Sequence, residues 1–264
     1  MRGLTKEEFF KSFKNQAYVN QLMEIPQKFN VVHNEEEKNS NITIYGVIGN
    51  SFWGDSFSAS DLDNALNGAK GHDITINLNS PGGDAFMGIA MYNRLKRHDG
   101  KVTIIVDGWA CSAASVLAQA GDEVIMGLGS MFMIHEASNI VWGTKTEFRK
   151  EANVLEELEE GIIDIYMTNA AIDRDEVRQK VDAETWMSAK TAVDLGFATK
   201  AEGVGSNDNL VGSEGALNTH DKQNIMNELK SILNQNKPNQ EPPLIPANNA
   251  GNGTGSLNLL KKRR

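Results

Sequence analysis

The sequence lacks several features that define whole classes of protein. Its 264 residues include one cysteine, Cys111, so no disulfide can form within the chain, as is usual in a reducing cytoplasm. A helix that crosses a bilayer needs about 20 apolar residues, and no apolar run in the sequence approaches that length. The stretch 1–16 is charged and has no apolar signal core. We therefore expect a cytoplasmic protein with no membrane partner.

Positive charge is also in deficit. The chain has 26 lysines and arginines against 35 aspartates and glutamates, which gives a formal net charge of -9. A surface of this sign repels phosphate backbones, so nucleic acid is not expected as a partner. The hydrophobic fraction of 40% is ordinary for a globular protein with a packed core.

Regular patterning begins near residue 42, where apolar stretches typical of strands alternate with helical stretches. Strands are predicted at 42–48, 73–79, 101–108, 123–126 and 131–136, and helices at 58–69, 85–97, 111–120, 146–170, 173–180 and 188–195. This alternation predicts an α/β domain with mainly parallel strands.

Composition divides the chain into three parts. Residues 1–38 are predicted to be a leader, 39–202 a folded domain, and 203–264 a flexible tail. The tail is rich in polar residues and turn formers and has one candidate helix at 220–236. We expect it to be flexible because it can bury too little apolar surface to offset the entropy of ordering.

The stretch NSPGGD (79–84) lies between a predicted strand and a predicted helix. Its two glycines allow a tight turn that exposes backbone N–H groups near a helix start, where negative charge is stabilised. One interpretation is an oxyanion hole, and the other is an ordinary strand-to-helix turn. A phosphate loop is disfavoured because no Lys-Ser or Lys-Thr pair follows the glycines.

A helix of almost only small residues begins near Cys111, directly after a predicted strand. Ser112 lies in its first turn, where the helix dipole favours a developing negative charge. The N–H of Ala113 could pair with that of Gly83 to hold the oxygen of a tetrahedral intermediate. Ser115 and Cys111 are the rival nucleophiles, and the serines could also merely cap a packed helix.

His135 ends the apolar stretch MFMIHE (131–136). Of the five histidines, it alone closes a hydrophobic strand downstream of the serine helix. Sites in α/β folds form at strand ends, so His135 is the candidate general base for Ser112.

Taken in order, the SPGG turn, the serine helix, the MIH strand end and ETWMSAKTAVDLGFA (184–198) resemble the ClpP-type serine peptidases. The resemblance covers roughly residues 42–200. It implies a ClpP/crotonase-like fold with Ser112 as nucleophile, His135 as base, and Gly83 and Ala113 as oxyanion donors. It also implies that neither a metal nor an organic cofactor is needed.

In that family an aspartate before the closing motif orients the histidine. Asp182 is the candidate for this third position, while Asp173 and Asp175 remain open. The predicted long helix at 146–170 matches the family's handle, where subunits of opposing rings interlock. The resemblance therefore implies a homo-oligomer, namely a heptameric ring or a stacked pair of such rings.

Three segments resemble one branch of the family, the head-maturation proteases of tailed phages and prophages. They are YGVIGNSFWGDSFSASDLDNAL, GDEVIM and DAETWMSAKTAVDLGF. The resemblance implies that scaffold and capsid proteins are the substrates. Two alternatives of other classes stay open. One is a non-enzymatic capsid-assembly component, in which the basic end KKRR would suit binding to capsid proteins, and the other is a crotonase-type acyl-CoA enzyme.

Overall fold

An eight-stranded mixed sheet organises residues 6–11, 13–49 and 56–203, the part of the chain that the computed structural model describes. Its strands are β1 (Lys28–Asn34), β2 (Asn39–Tyr45), β3 (Asp73–Ser80), β4 (Val102–Cys111), β5 (Glu123–Met126), β6 (Met131–Ile134), β7 (Thr185–Ser188) and β8 (Lys200–Ala201). The main order is β1-β2-β3-β4-β5-β8, and β6 and β7 extend from the end of β4. The pairs β1–β2 and β6–β7 are antiparallel and the other pairs are parallel.

Helices connect these strands. They are α1 (Lys6–Lys11), α2 (Val19–Met23), α3 (Ala59–Asn67), α4 (Ala85–Lys96), α5 (Ala113–Ala118), α6 (Lys145–Met167), α7 (Arg174–Asp182) and α8 (Ala189–Asp194). Local signals fix several of their starts. Ser58 and Asp61 form a reciprocal capping box at α3, and the Asp84 side chain accepts from the N–H of Met87 at α4. Among the described residues, no helix is long and apolar enough to cross a bilayer.

The long strand β4 changes neighbours halfway along its length. Its first half pairs with β5 through Thr103–Val106, and its last three residues pair with β6 through Trp109–Cys111. The carboxyl ends of β4 and β6 therefore lie side by side, with Cys111 opposite Met133. This change of pairing partner positions the site, because the residues that follow β4 and β6 then lie together at one edge of the sheet.

Two apolar clusters are buried. The larger one joins the central strands to the helices and includes Ile76, Ile104 and Leu117. The smaller one joins the amino-terminal segment to the site end of the sheet; its buried members are Phe10, Phe13, Val19, Leu22, Val47, Cys111 and Met133. The amino-terminal segment is thus packed against the strands that carry the site.

The predicted α/β class is confirmed, and the predicted elements recur with small shifts in their bounds. Three strands were missed: β1 because its half-exposed alternation has no continuous apolar run, β7 because it is four residues long and runs straight into α8, and β8 because it has only two residues. Since β1 pairs with β2, part of the predicted leader 1–38 belongs to the sheet. The predicted tail, with its candidate helix at 220–236, lies outside the described residues apart from its first position.

The buried residues of α6 all lie in its second half. Ile162, Ile163 and Tyr166 are buried there, whereas Phe148 and Val154 in the first half are exposed. The helix therefore anchors one end in the core and presents the other as an apolar surface.

Candidate active site

Ser112 lies in a sharp turn between β4 and α5. Its backbone has φ 55° and ψ −126°, a region that residues other than glycine rarely adopt, and its N–H donates to the carbonyl of Met133 at 2.9 Å. Strained backbone of this kind is concentrated at functional sites. A turn from strand to helix can hold a serine hydroxyl clear of the main chain, as nucleophiles require.

His135 follows β6 directly, beside the end of β4. Its Nε2 atom lies 2.8 Å from the Oγ atom of Ser112. The structure therefore brings together the two residues predicted to be nucleophile and base, at a distance that permits direct proton transfer.

Burial dominates the electrostatics of His135. It lowers the pKa of the imidazole to about 4, against the upward effects of Glu184 and Glu136, while Lys14 adds a further downward effect. His135 is therefore neutral at pH 7, with a nitrogen available to accept a proton.

The predicted oxyanion loop is pressed against the start of α5. A Cβ atom on Gly82 would lie 2.7 Å from the Cβ of Ser112, and one on Gly83, where φ is 146°, would lie 1.9 Å from the carbonyl oxygen of Ile48. Only glycine fits this approach. No described residue accepts a hydrogen bond from the N–H of Gly83 or of Ala113, so both donors are free for a ligand oxygen.

A cavity of about 260 Å³ opens beside the serine and histidine. Apolar side chains from α5 and α6 line much of it, namely Val116, Leu155, Leu158, Ile162 and Tyr166. The residues of its polar mouth include Gly83, Ser112 and His135. The arrangement suits an extended substrate with an apolar side chain in the cavity and a carbonyl at Ser112.

The structure does not bring Asp182 to His135. Asp182 is the last residue of α7, it is exposed, and its main-chain carbonyl accepts a hydrogen bond from the Lys14 ammonium. Glu184 is the residue across from the histidine instead. The register of β6 with β7 pairs Ile134 with Thr185, and one further step places Glu184 opposite His135.

Glu184 is 6% exposed and has φ 54°, the second strained residue of the site. Its carboxylate accepts hydrogen bonds from the N–H groups of Lys14 and Asn15 and from Nε1 of Trp186, at 2.7 Å for Asn15 and 3.1 Å for Trp186. A buried carboxylate that accepts several hydrogen bonds in this way has its oxygens fixed in position. The sequence signal for it is an acidic residue directly before TWMS, the strand that pairs with MFMI.

The rival residues have other surroundings. Ser115 is fully buried, and its hydroxyl bonds the carbonyl of Ser112 at 2.6 Å and the hydroxyl of Tyr166 at 2.7 Å. Burial raises the pKa of the Cys111 thiol, which disfavours a thiolate nucleophile. Asp173 caps α7 through the N–H of Glu176, and Asp173 and Asp175 line a separate depression along that helix.

A second serine–histidine group lies at the far end of the sheet. The hydroxyl of Ser40 is 2.8 Å from Nδ1 of both His33 and His72, and Nε2 of His72 is 3.4 Å from Glu35. Ser40 is fully buried in β2. Across the described ranges, no cluster of three or more histidine, cysteine or acidic side chains could hold a metal ion.

The fold and this geometry define an α/β protein with a candidate acyl-transfer site. The sequence matches the model of the Clp protease family over residues 61–202, more than half of the chain. It is 31% identical over 131 residues to the ATP-dependent Clp protease proteolytic subunit 1 of Chlamydia abortus, which covers 48% of this chain and 68% of that protein. The protein therefore belongs to the Clp protease family.

Two further relatives agree with this assignment. The ATP-dependent Clp protease proteolytic subunit of Bacteroides thetaiotaomicron is 30% identical over 129 residues, covering 48% of this chain and 59% of its own length. The solved structure of an asparagine-to-aspartate mutant of ClpP1 from Listeria monocytogenes matches with a TM-score of 0.53 at 22% identity. That match covers 61% of this chain and 90% of the other, and it shows the shared fold.

Proposed function

We propose that the protein is a serine endopeptidase of the ClpP type. The observation that carries this proposal is the 2.8 Å contact between Ser112 Oγ and His135 Nε2, made at a strained turn beside two free backbone donors. A crotonase-type acyl-CoA enzyme has no need of such a pair. The pair therefore favours covalent catalysis by serine.

In the proposed reaction His135 accepts the Ser112 proton while the oxygen attacks the substrate carbonyl. The N–H groups of Gly83 and Ala113 stabilise the oxyanion, and each such donor is worth about 3 kcal/mol in comparable enzymes. His135 then protonates the leaving amine, and water releases the acyl group. We assign the orienting acid to Glu184, and Asp182 becomes its rival, because Glu184 is the carboxylate in register with the histidine.

Labelling with a fluorophosphonate probe tests the proposal. We expect the probe to modify wild-type protein at Ser112, as mapped by mass spectrometry, and to leave Ser112→Ala unmodified. Ser115→Ala and Ser40→Ala are matched controls that should label normally. An unlabelled wild-type protein that keeps its fold would favour the non-enzymatic alternative.

We propose further that the protein assembles with copies of itself. Four large apolar side chains are exposed at the start of α6 and in the loop before it, namely Ile140, Trp142, Phe148 and Val154, and Trp142 is 98% exposed. Large exposed apolar side chains that are concentrated in one segment of the chain are typical of interaction surfaces. They support a homo-oligomeric ring, heptameric or doubled, in which this helix contacts another subunit.

Sedimentation velocity tests the assembly. We expect a mass of many subunits for the wild type and smaller particles for a Trp142→Ser, Phe148→Ser double variant. Leu128→Ser is a control, because it removes an exposed apolar side chain elsewhere. A wild-type monomer at micromolar concentration that still cleaves protein would rule out a closed compartment.

The natural role that we propose is head maturation in a tailed phage, carried out in the host cytoplasm on scaffold and capsid proteins. The support is the resemblance of GDEVIM and DAETWMSAKTAVDLGF to that branch. The test is co-expression with a tailed-phage capsid precursor and its scaffold, comparing wild type with Ser112→Ala. We expect shortened products with the wild type only, whereas identical products from both would remove this role and leave the peptidase.

A further inference from the structure

Three consecutive residues of the amino-terminal segment contact His135 and Glu184. The ring of Phe13 stacks on the imidazole of His135, with centroids 5.2 Å apart and planes inclined by 27°. The next two residues, Lys14 and Asn15, donate their main-chain N–H groups to the carboxylate of Glu184. One short stretch therefore contacts both the proposed base and the proposed acid.

This stretch is fixed in place by its own packing. Phe13 is 2% exposed and packs in the smaller cluster with Phe10 and Leu22, each 1% exposed. The Asn15 side chain caps the short 3-10 turn at Gln16–Tyr18 by accepting from the N–H of Ala17. Such burial is that of a core element, so the contacts with the site are a permanent part of the folded chain.

We propose that residues 13–15 are positioning residues for the peptidase reaction, with Phe13 fixing the plane of the His135 ring and the two N–H groups fixing the Glu184 carboxylate. The inference rests on the proposed function, and it adds a part of the chain that lies before the family match at 61–202. The flat contact restricts rotation of the imidazole and excludes water from one of its faces. The paired N–H groups hold the Glu184 carboxylate at the register position opposite the histidine.

The charged groups around His135 come from three elements. Glu184 directly precedes β7, Glu136 follows the histidine in the chain, and Lys14 belongs to the amino-terminal stretch. Lys14 and Glu136 form an ion pair at 2.8 Å, which partly cancels their opposing effects. Shielding by Phe13 therefore leaves burial as the main influence on the imidazole, and opening that face to water should raise its pKa.

The first experiment compares Phe13→Ala with Phe10→Ala in the full chain. Both variants remove a buried ring from the same cluster, but of the two rings only Phe13 stacks on His135. We expect Phe13→Ala to lower kcat/KM for a peptide by about 10- to 100-fold, because small misplacements of a catalytic group cost rate on this scale. The acid limb of the pH profile of kcat/KM for Phe13→Ala should also move to higher pH. Phe10→Ala should keep the wild-type midpoint of the acid limb.

Phe13→Leu is the conservative variant, which retains apolar burial and should restore most of the rate and the wild-type acid limb. If the pH profiles of Phe13→Ala and Phe10→Ala coincide, Phe13 has only a packing role and the inference is overturned for it. If Phe13→Ala fails to fold, Phe13→Leu is compared with Phe13→Met. The variant whose side chain shields the His135 imidazole less from water must then show the higher midpoint of the acid limb.

The second experiment isolates the main-chain donor. Asn15→Ala removes the capping side chain and keeps the N–H, whereas Asn15→Pro removes both at a position where φ is −88°. We expect Asn15→Pro to show the lower kcat at unchanged KM, with both variants equally folded by circular dichroism. Equal kcat values would refute the role of the N–H, while loss of Ser112 labelling in the wild type would instead overturn the proposed function.

Discussion

Among the described residues, two groups of serine and histidine make hydroxyl–imidazole contacts of equal length in very different settings. Ser112 meets His135 at 2.8 Å, and Ser40 meets His72 at the same distance. Ser40 is fully buried near the start of the regular strand β2, and its hydroxyl is shared between two histidines. Ser112 is partly exposed, lies in a strained turn and borders a cavity.

The difference shows that the distance from hydroxyl to imidazole does not by itself identify a nucleophile. What separates the two groups is the backbone around them. Free N–H groups at Gly83 and Ala113 can receive a developing oxyanion beside Ser112, whereas Ser40 lies within paired strands whose N–H groups serve the sheet. The hydrogen-bonded group of Ser40, His33 and His72 is therefore expected to have a structural role and no catalytic one.

The largest expected effect separates the two serines directly. Ser112→Ala should lower kcat by about 10⁴-fold or more, because loss of the nucleophile leaves only binding and oxyanion stabilisation. Ser40→Ala should leave kcat within about twofold per folded molecule. Steady-state hydrolysis of a fluorogenic peptide measures both kcat values. Similar losses in the two variants would show that Ser112 does not differ from Ser40 in its role.

A second comparison sets Glu184 against Asp182. Glu184→Gln keeps a hydrogen-bonding side chain and removes the charge that stabilises the imidazolium, so kcat should fall about 10²- to 10⁴-fold. Asp182→Asn, a change of the same kind two residues earlier on an exposed site, should keep wild-type kcat. The reverse result would return the third catalytic position to Asp182.

The pH dependence of kcat/KM sharpens the contrast further. Because burial lowers the pKa of His135 to about 4, the neutral base persists as the pH falls below 6.5. At pH 5.5 an ordinary histidine would be only about 10% neutral, whereas His135 should remain mostly neutral and support nearly full activity. A fall of about eightfold between pH 7 and pH 5.5, which a histidine with a pKa of about 6.5 would give, would contradict this low pKa.

The fold must be monitored over the same range. The unfolded chain takes up a proton at His135 below about pH 6.5 and the folded chain resists it, so folding stability is lost as the pH falls from about 6.5 towards about 4. Circular dichroism at each pH separates this loss from a change in the chemistry.

The smallest effect on activity belongs to the buried group at Ser40. Ser40→Ala removes the partner of Nδ1 in the buried His72, besides that in the exposed His33, and an unsatisfied buried polar group such as His72 Nδ1 costs about 1–3 kcal/mol. Urea unfolding should show this loss, with Ser58→Ala, the loss of a helix cap, as a comparison of about 1 kcal/mol. A wild-type midpoint for Ser40→Ala would mean that solvent satisfies these nitrogens.

Much of the fold and part of the candidate site could be predicted from the sequence, because both depend on local signals. Alternating apolar stretches predicted the central strands and helices, and the strand ends predicted where Ser112 and His135 would meet. Glu184 could not be found in the same way, since it depends on a short antiparallel pairing between segments about fifty residues apart. The contacts of Phe13 are harder still, because nothing local ties an amino-terminal ring to a histidine 122 residues later.

The contact between Lys14 and Glu184 joins positions 170 residues apart, and this separation has a consequence for biosynthesis. At roughly 5–20 residues per second, a ribosome needs on the order of 10–30 s to travel between them. A growing chain therefore carries both the serine and the histidine well before it carries the acid. The proposed site is therefore incomplete during that interval, and peptidase activity is expected only after residue 184 has been synthesised.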